Sequence, residues 1–176
     1  MMKMGFFSSF KYCALALCAL MAMSTSPSQA GDLAMPSGKT LLTVVGKITN
    51  TNVGETVEFD RDLLQAMGMH TLNTTNPFIQ GTHTFEGILF SDLLDAVGAT
   101  GTTVAARALD GFVADIPIAD LRNYPVIIAM NMDGKVMSVR SKGPLWVIYP
   151  VDQYDELKAE TYSSRSIWQL TSLTIK

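Results

Sequence analysis

The stretch Phe85-Glu86-Gly87-Ile88-Leu89-Phe90-Ser91-Asp92-Leu93-Leu94 decides the fold of this chain. Within it, Ser91 can cap a short helix over Asp92–Val97, and Gly98 can end that helix. The same string, Asp-Leu-Leu-x-Ala-x-Gly, also occurs at residues 62–68. Two short capped helices that each present a Leu-Leu-Ala face explain this likeness better than a duplication does.

Outside this stretch, short β-rich segments alternate with turn signals. Asp60 can cap a second helix over Arg61–Met67. Asp110-Gly111 and Asp133-Gly134 are typical of hairpin turns. The predicted strands are Leu41–Ile48, Glu55–Phe59, Val104–Leu109, Val113–Ile116, Val126–Met130, Val136–Arg140, Leu145–Tyr149 and Ile167–Ile175, with a helical turn at Ile118–Arg122. Many short strands with a few short helices predict a single α+β domain with mixed sheets over residues 40–176.

The composition sets limits on the class of protein. The chain has 176 residues, of which 48% are hydrophobic and 16% are charged, and its formal net charge is −3. This apolar content is enough for one globular core and argues against general disorder. Basic residues do not exceed acidic ones, which argues against a nucleic-acid partner.

Residues 1–30 have the pattern of a secretory signal peptide. Lys3 and Lys11 flank the start of an apolar run from Tyr12 to Met23. Ser28-Gln29-Ala30 has the small-x-small pattern that signal peptidase accepts. The apolar run is too short to span a bilayer as a mature helix.

We therefore expect a cleaved signal peptide at residues 1–30, a flexible arm at residues 31–39 and a periplasmic location. Both cysteines, Cys13 and Cys18, lie in the signal segment. The mature domain would then have no disulfide, no thiolate nucleophile and no cysteine metal ligand. An uncleaved anchor and a lipid-modified Cys18 are the alternatives.

Four motifs, in their order along the chain, resemble those of the sulfite-oxidase-type family of oxidoreductase molybdopterin-binding domains. The first is the opening stretch, which resembles the family's Gly-Val-x-Leu-x-Asp-Leu-Leu segment. The others are Asp110-Gly111-Phe112 with Asp115-Ile116-Pro117, Val126-Ile127-Ile128-Ala129 with Asp133-Gly134-Lys135, and Gly143-Pro144-Leu145-Trp146-Val147-Ile148-Tyr149-Pro150. The resemblance covers residues 55–176 and implies a single sulfite-oxidase-like domain.

The chain departs from the family pattern at two positions. Enzymes of the family carry a molybdenum-binding cysteine ahead of the helical segment, but residues 72–76 contain none, and Thr74 or Thr75 occupies about that place. A threonine hydroxyl is a poor substitute for a soft thiolate. The family's arginine after Pro-Leu is Trp146 here. We therefore expect a pterin-shaped cleft without redox catalysis at molybdenum.

Small exported proteins of this cysteine-free kind are similar to the periplasmic pterin-response (PruR-like) proteins. This resemblance implies that the ligand is a reduced pterin rather than molybdopterin. It also implies a protein partner, the periplasmic domain of a membrane-bound diguanylate cyclase or phosphodiesterase. Occupancy of the cleft would then be relayed to cyclic di-GMP metabolism.

A pterin is a flat bicyclic ring whose pyrimidine edge carries adjacent N–H donors and one carbonyl. It requires an aromatic face for stacking and a carboxylate that accepts the N–H donors. The predicted site residues are Thr74, Thr75, Glu86, Asp110, Phe112, Arg140, Trp146, Arg165 and Trp168, with Asn76, Phe85 and Asp115 as further candidates. Asp110 is also typical of a turn and Trp146 of a core, so both interpretations stay open.

Three other functions are alternatives. The first is a molybdopterin-dependent oxidoreductase with a metal site that lacks cysteine. The second is copper binding through thioether and imidazole ligands, from Met67, Met69, His70, Met130, Met132 and Met137. The third is an interaction module without a ligand. Hydrolysis by a nucleophile has no support, because neither His70 nor His83 lies in a triad context.

Overall fold

The computed structural model describes residues 33–176, so the predicted signal peptide at 1–30 lies outside the described residues. The elements, in chain order, are β1 (Leu42–Gly46), β2 (Val57–Phe59), α1 (Arg61–Ala66), β3 (His70–Asn76), β4 (Ile79–Leu89), α2 (Phe90–Ala96), β5 (Thr103–Ala108), β6 (Val113–Pro117), α3 (Ile118–Asn123), β7 (Ile127–Met132), β8 (Lys135–Val136), β9 (Trp146–Ile148), α4 (Glu160–Arg165) and β10 (Leu170–Ile175). Short 3-10 helices occupy Val139–Ser141 and Asp155–Lys158.

The strands form two sheets. The first has the order β2-β1-β10-β5-β6, in which β1 and β10 run parallel and the other neighbours run antiparallel. The second has the order β3-β4-β7-β8, and β9 also pairs with β7. This mixed architecture with short helices confirms the predicted α+β class.

Side chains that alternate along β7 fill two apolar clusters on opposite faces of the second sheet. Ile128 and Met130 belong to the larger cluster, which takes side chains from both sheets and from α2. Ile127 and Ala129 belong to the smaller cluster, which includes Trp146. Because successive residues of a strand point to opposite faces, β7 is buried on both sides.

The opening stretch forms the end of β4 and then α2. The register between β4 and β7 shifts between Glu86 and Gly87. A Cβ on Gly87 would lie 2.1 Å from the carbonyl oxygen of Ile128, so only glycine fits this approach. The helix begins at Phe90, whose N–H donates to Val126 O (2.9 Å). The predicted cap at Ser91 is therefore wrong, because the strand continues directly into the helix and Ser91 lies within it.

The hairpin of β3 and β4 is not among the elements predicted from the sequence. Residues 74–76 are all polar, yet they complete β3, in which buried and exposed residues alternate. Polar side chains on a half-buried strand weaken the apolar alternation from which strands are predicted. Among the described residues, no helix is long and apolar enough to cross a bilayer.

Asp60 caps α1, as predicted, and holds the segment before β1. Its Oδ1 accepts the N–H of Leu63 (2.9 Å). Its Oδ2 accepts the N–H groups of Ser37 (2.8 Å) and Gly38 (2.7 Å). Ser37 and Gly38, in the described part of the predicted arm, are therefore bonded to the domain, and the flexibility of the arm stays a prediction.

Replacing Asp60 by alanine removes all three hydrogen bonds. We expect the melting temperature to fall by at least about 2–4 °C, the shift that loss of one capping interaction causes in a domain of this size. Asp62→Ala, an exposed carboxylate in the first turn of the same helix, is the matched control. Thermal unfolding followed by circular dichroism measures both variants, and equal melting temperatures would contradict this role of Asp60.

The same carboxylate makes the stabilisation dependent on pH. The N–H groups of Leu63, Gly38 and Ser37 lower the pKa of Asp60 below its ordinary value. Stabilisation by a group with a lowered folded-state pKa is present above the unfolded pKa of about 3.9 and is lost as the pH falls through the folded pKa. The difference in melting temperature between wild type and Asp60→Ala should therefore shrink below about pH 4.

Candidate functional site

A cleft of about 310 Å³ lies where three segments of the chain meet. This volume is at the lower end of the range for small-molecule sites. Its walls are mainly apolar, with a few polar groups among them. The lining residues are Phe78, Ala108, Asp110, Phe112, Ser163, Ser164, Ser166, Ile167 and Trp168.

The walls come from three parts of the chain: two turns and the segment that joins α4 to β10. Phe78 lies in the turn between β3 and β4, and Asp110 and Phe112 lie in the turn between β5 and β6. The serines belong to the end of α4, and Trp168 lies in the segment that leads into β10. Binding residues on loops that a rigid scaffold positions are a common arrangement.

Gln169 joins three segments at the cleft. Its N–H donates to Lys142 O (2.9 Å) and its carbonyl accepts the N–H of Leu109 (2.9 Å). Its side-chain Nε2 donates to Val139 O (2.8 Å). The backbone of Gln169 has φ +50°, in the left-handed region that few residues with a side chain adopt. Trp168 is thereby held between the β5–β6 turn and the segment before β9.

The aromatic side chains offer a surface for a flat ring. Phe78 and Trp168 pack edge to face, with ring centroids 4.7 Å apart and planes at 70°. The Phe112 side chain is 56% exposed. Exposed rings of this kind can stack on a heterocycle without first displacing core contacts.

The polar groups of the cleft can accept N–H donors. Asp110 Oδ1 accepts the N–H of Phe112 (2.9 Å), which shapes the turn, while no donor from the described residues bonds Oδ2. Ser164 and Ser166 donate their hydroxyl protons to the carbonyls of Thr161 (2.7 Å) and Tyr162 (3.1 Å). Their hydroxyl oxygens therefore keep lone pairs for a ligand.

Asp110, Phe112 and Trp168, three of the predicted site residues, lie together in this cleft. Their contact with a ligand stays a prediction. The turn interpretation of Asp110 is present in the structure, because Oδ1 accepts the N–H of Phe112; its role as a ligand acceptor stays a prediction.

Trp146 lies in the core and not in the cleft. Its side chain is fully buried and packs edge to face on Phe85, with centroids 5.6 Å apart. Its Nε1–H donates to Ser166 O (3.2 Å). Because neither buried ring offers a face to a ligand, the stacking predicted for Trp146 and Phe85 is corrected. Trp146 supports the cleft wall through its bond to the backbone of Ser166 and its β-bridge with Trp168.

Thr74, Thr75 and Asn76 also lie outside the cleft lining. The N–H and hydroxyl of Thr75 donate to the Oδ2 (2.7 Å) and Oδ1 (2.6 Å) of Asp152, and they lower the pKa of Asp152 below its ordinary value. Thr74 is buried, and its hydroxyl oxygen accepts the N–H of Asp152 at 3.4 Å. The residues at about the place of the family's molybdenum-binding cysteine therefore bond Asp152.

The remaining predicted polar residues have other neighbours. Glu86 Oε2 accepts from Asn131 Nδ2 (3.0 Å). Arg140 is exposed and does not line the cleft. Arg165 lies between cleft serines, but its guanidinium pairs with Asp120 (2.6 Å), and Asp115 pairs with Lys176 (2.8 Å). The pattern of a single sequence predicts which strand or helix carries each of these residues. It does not predict which side chains of other strands and helices they contact.

A family model described as the oxidoreductase molybdopterin binding domain matches residues 42–153, which is more than half of the chain. The chain belongs to this family. The predicted family resemblance is thereby confirmed. No curated protein matches the chain by sequence.

Among solved structures, the chain is similar to the sulfane dehydrogenase SoxCD from Paracoccus pantotrophus, with a TM-score of 0.59 and 15% sequence identity. The match covers 82% of this chain and 40% of that chain. The chain thus spans two-fifths of the SoxCD chain that it matches. At this identity the likeness shows the fold alone.

The family match contradicts the predicted identity of the ligand. A reduced pterin was favoured over molybdopterin, but the match to a molybdopterin-binding family points to a molybdopterin-type cofactor, so that choice is wrong. The aromatic walls and hydroxyl oxygens of the cleft fit the pterin ring of such a group. The chain's two cysteines precede the described residues, so residues 33–176 offer no thiolate to a metal.

The sequence interpretation missed Phe78 and the serines of α4. Phe78 follows Asn76-Pro77, a turn signal that could have placed an exposed aromatic ring at a loop tip. Residues 161–166, Thr-Tyr-Ser-Ser-Arg-Ser, are dense in hydroxyl groups. Neither signal by itself indicates that the two segments meet.

The structure does not support the alternative of copper binding. Met130 and Met137 are buried in two different apolar clusters. Among the described residues, no group of three or more His, Cys, Asp or Glu side chains could hold a metal ion. The methionines serve as apolar packing in these clusters.

Two substitutions of Gln169 test its backbone conformation. Gln169→Gly and Gln169→Ala both lose the hydrogen bond to Val139 O, but glycine adopts a positive φ without steric cost. We expect the glycine variant to be more stable than the alanine variant by about 1 kcal/mol in urea unfolding. An alanine variant that is the more stable of the two would contradict the left-handed conformation at residue 169.

Proposed function

We propose that this chain is a periplasmic protein that binds a molybdopterin-type cofactor through its pterin ring. We propose further that it relays occupancy of the cleft to the periplasmic domain of a membrane-bound cyclic di-GMP enzyme, a diguanylate cyclase or phosphodiesterase. The observation that carries the binding proposal is the aromatic cleft with its hydrogen-bond acceptors. The family match supports the choice of cofactor.

The ring system would stack on the aromatic walls. Phe112 is the exposed ring in the turn between β5 and β6, and Phe78 and Trp168 form the opposite pair. Offset stacking and edge contacts with these rings favour a flat heterocycle over an aliphatic ligand of equal volume.

The pyrimidine edge of the pterin would face Asp110 and the serine hydroxyls. Asp110 Oδ2 offers a charged acceptor, and charge-assisted hydrogen bonds are stronger than neutral ones. Ser164 and Ser166 offer neutral acceptors for the remaining N–H groups. The cleft thus supplies acceptors where this ring has donors.

A molybdopterin-type group supplies, when bound, a pterin ring and dithiolene sulfurs that can hold molybdenum. The residues of this chain fit the ring, while residues 33–176 contain no cysteine for the metal. Binding and signalling are therefore the function that the side chains support best. A molybdopterin-dependent oxidoreductase whose metal has no cysteine ligand is the second candidate, because the chain belongs to an oxidoreductase family.

Four exposed apolar residues support the relay, two that line the cleft and two whose backbone bonds Gln169 beside it; we call them the apolar rim. They are Phe78 (37% exposed), Leu109 (58%), Phe112 (56%) and Val139 (48%). Two of them lie in the segments that Gln169 joins, since Gln169 bonds the backbone at Leu109 and Val139. A partner that binds the apolar rim would contact a surface that the bound ligand orders. Such coupling is reciprocal, so the partner would change the affinity for the ligand by the same factor.

Co-purification tests the binding proposal. The protein would be purified from a host that makes molybdopterin and from a matched host that does not, and released pterin measured by fluorescence after oxidation. We expect pterin only with the first host, and about five- to tenfold less of it with Phe112→Ala, which loses the stacking ring. Met35→Ala, another exposed apolar residue, is the control.

Wild-type protein without pterin from the first host would contradict the binding proposal, and an unchanged amount with Phe112→Ala would contradict the site. Molybdenum measured by mass spectrometry in the same samples separates the two candidate functions. A stoichiometric metal content would favour the oxidoreductase.

The relay is tested in cells that lack the gene and carry it on a plasmid. Leu109→Glu places a charge on the apolar rim without changing a cleft-lining residue. We expect it to retain pterin but to give the cyclic di-GMP level of the deletion strain, whereas Met35→Glu gives the wild-type level. A deletion that leaves cyclic di-GMP unchanged would disprove the relay.

A further inference from the structure

An ammonium group lies at the edge of the cleft among aromatic rings. Lys142 Nζ is 4.3 Å from the ring centroid of Trp168, 5.9 Å from that of Phe78 and 5.6 Å from that of Trp146. Two of these rings line the cleft. Distances below about 6 Å place the cation in the range of cation–π attraction.

The backbone fixes the position of this lysine. Lys142 has φ +69°, a left-handed conformation at the end of the 3-10 helix Val139–Ser141. Its carbonyl accepts the N–H of Gln169 (2.9 Å), the residue that follows Trp168. The side chain therefore starts from a fixed point beside the aromatic walls.

The charge of Lys142 has no acidic partner in the part of the chain that the structure describes. The ion pairs found there involve other basic residues. Contact with ring faces stabilises a cation but uses none of its hydrogen bonds, so its three N–H donors stay available for an anion. A half-buried ammonium without a counter-ion is suited to an anionic ligand group.

We propose that Lys142 is a specificity-determining residue that binds a terminal phosphate of the ligand. This inference rests on the proposed binding of a molybdopterin-type pterin. The cleft, at about 310 Å³, has room for the ring system, and the ammonium lies 4.3 Å and 5.9 Å from the centroids of two lining rings, Trp168 and Phe78, that would hold it. The ligand class is therefore a pterin with a phosphate on its side chain, preferred over the same pterin without it.

Two probes that differ by one phosphate test this inference. They are the fluorescent oxidised derivative of molybdopterin and the same compound after removal of its phosphate by alkaline phosphatase. Fluorescence anisotropy gives the dissociation constant of each for wild type, Lys142→Gln and Lys142→Arg, with Lys135→Gln as a control at an exposed lysine.

We expect wild type to bind the phosphorylated probe roughly tenfold more tightly than the other, as loss of one partly exposed charge-assisted bond predicts. Lys142→Gln should lose this preference but bind the dephosphorylated probe as tightly as wild type does. If Lys142 had a merely structural role, the variant would bind both probes more weakly. Lys142→Arg and Lys135→Gln should keep the preference, and rising salt should reduce it.

Equal affinity of wild type for the two probes, or a preference that persists in Lys142→Gln, would overturn the role of Lys142. Either result would leave the proposed function intact. Failure of both probes to bind wild type would contradict the inference and the proposed pterin site together.

Discussion

Gln169 is the residue on which the geometry of the cleft depends. Its hydrogen bonds reach Lys142, Leu109 and Val139, so one residue sets the distance between the β5–β6 turn and the segment before β9. The left-handed backbone at this residue lets the chain pass from Trp168 into β10 while three segments stay in contact. These bonds act together with the pairing of β10 and β5, which also brings the β5–β6 turn to the segment of Trp168.

The two tryptophans show how a sheet assigns different roles to the same residue type. Trp146 lies in β9, which pairs with the buried strand β7, so its indole packs into the smaller cluster. Trp168 lies outside a named strand, at an isolated bridge opposite Trp146, and only part of it is buried. The bond from Trp146 to Ser166 O then connects the core to the cleft wall.

The features that sequence alone predicts are those that depend on residues close together in the chain. The cap at Asp60 and the turn at Asp110-Gly111 depend on neighbours in the chain, and both are present. The site required knowledge of which loops meet, and this depends on the long-range pairings of β10 with β1 and β5. Arg165 and Thr75 were expected to contact a ligand, but they bond Asp120 and Asp152, which lie too far away in the sequence for the pairing to be predicted.

The central claim, a pterin ring held against Trp168, can be tested most directly by the two indole N–H signals in a proton–nitrogen NMR spectrum, since the chain has two tryptophans. On addition of the oxidised molybdopterin derivative, the account predicts a large, saturable shift of the Trp168 signal and a smaller one for buried Trp146. An unshifted Trp168 signal at ligand concentrations that saturate binding would contradict it.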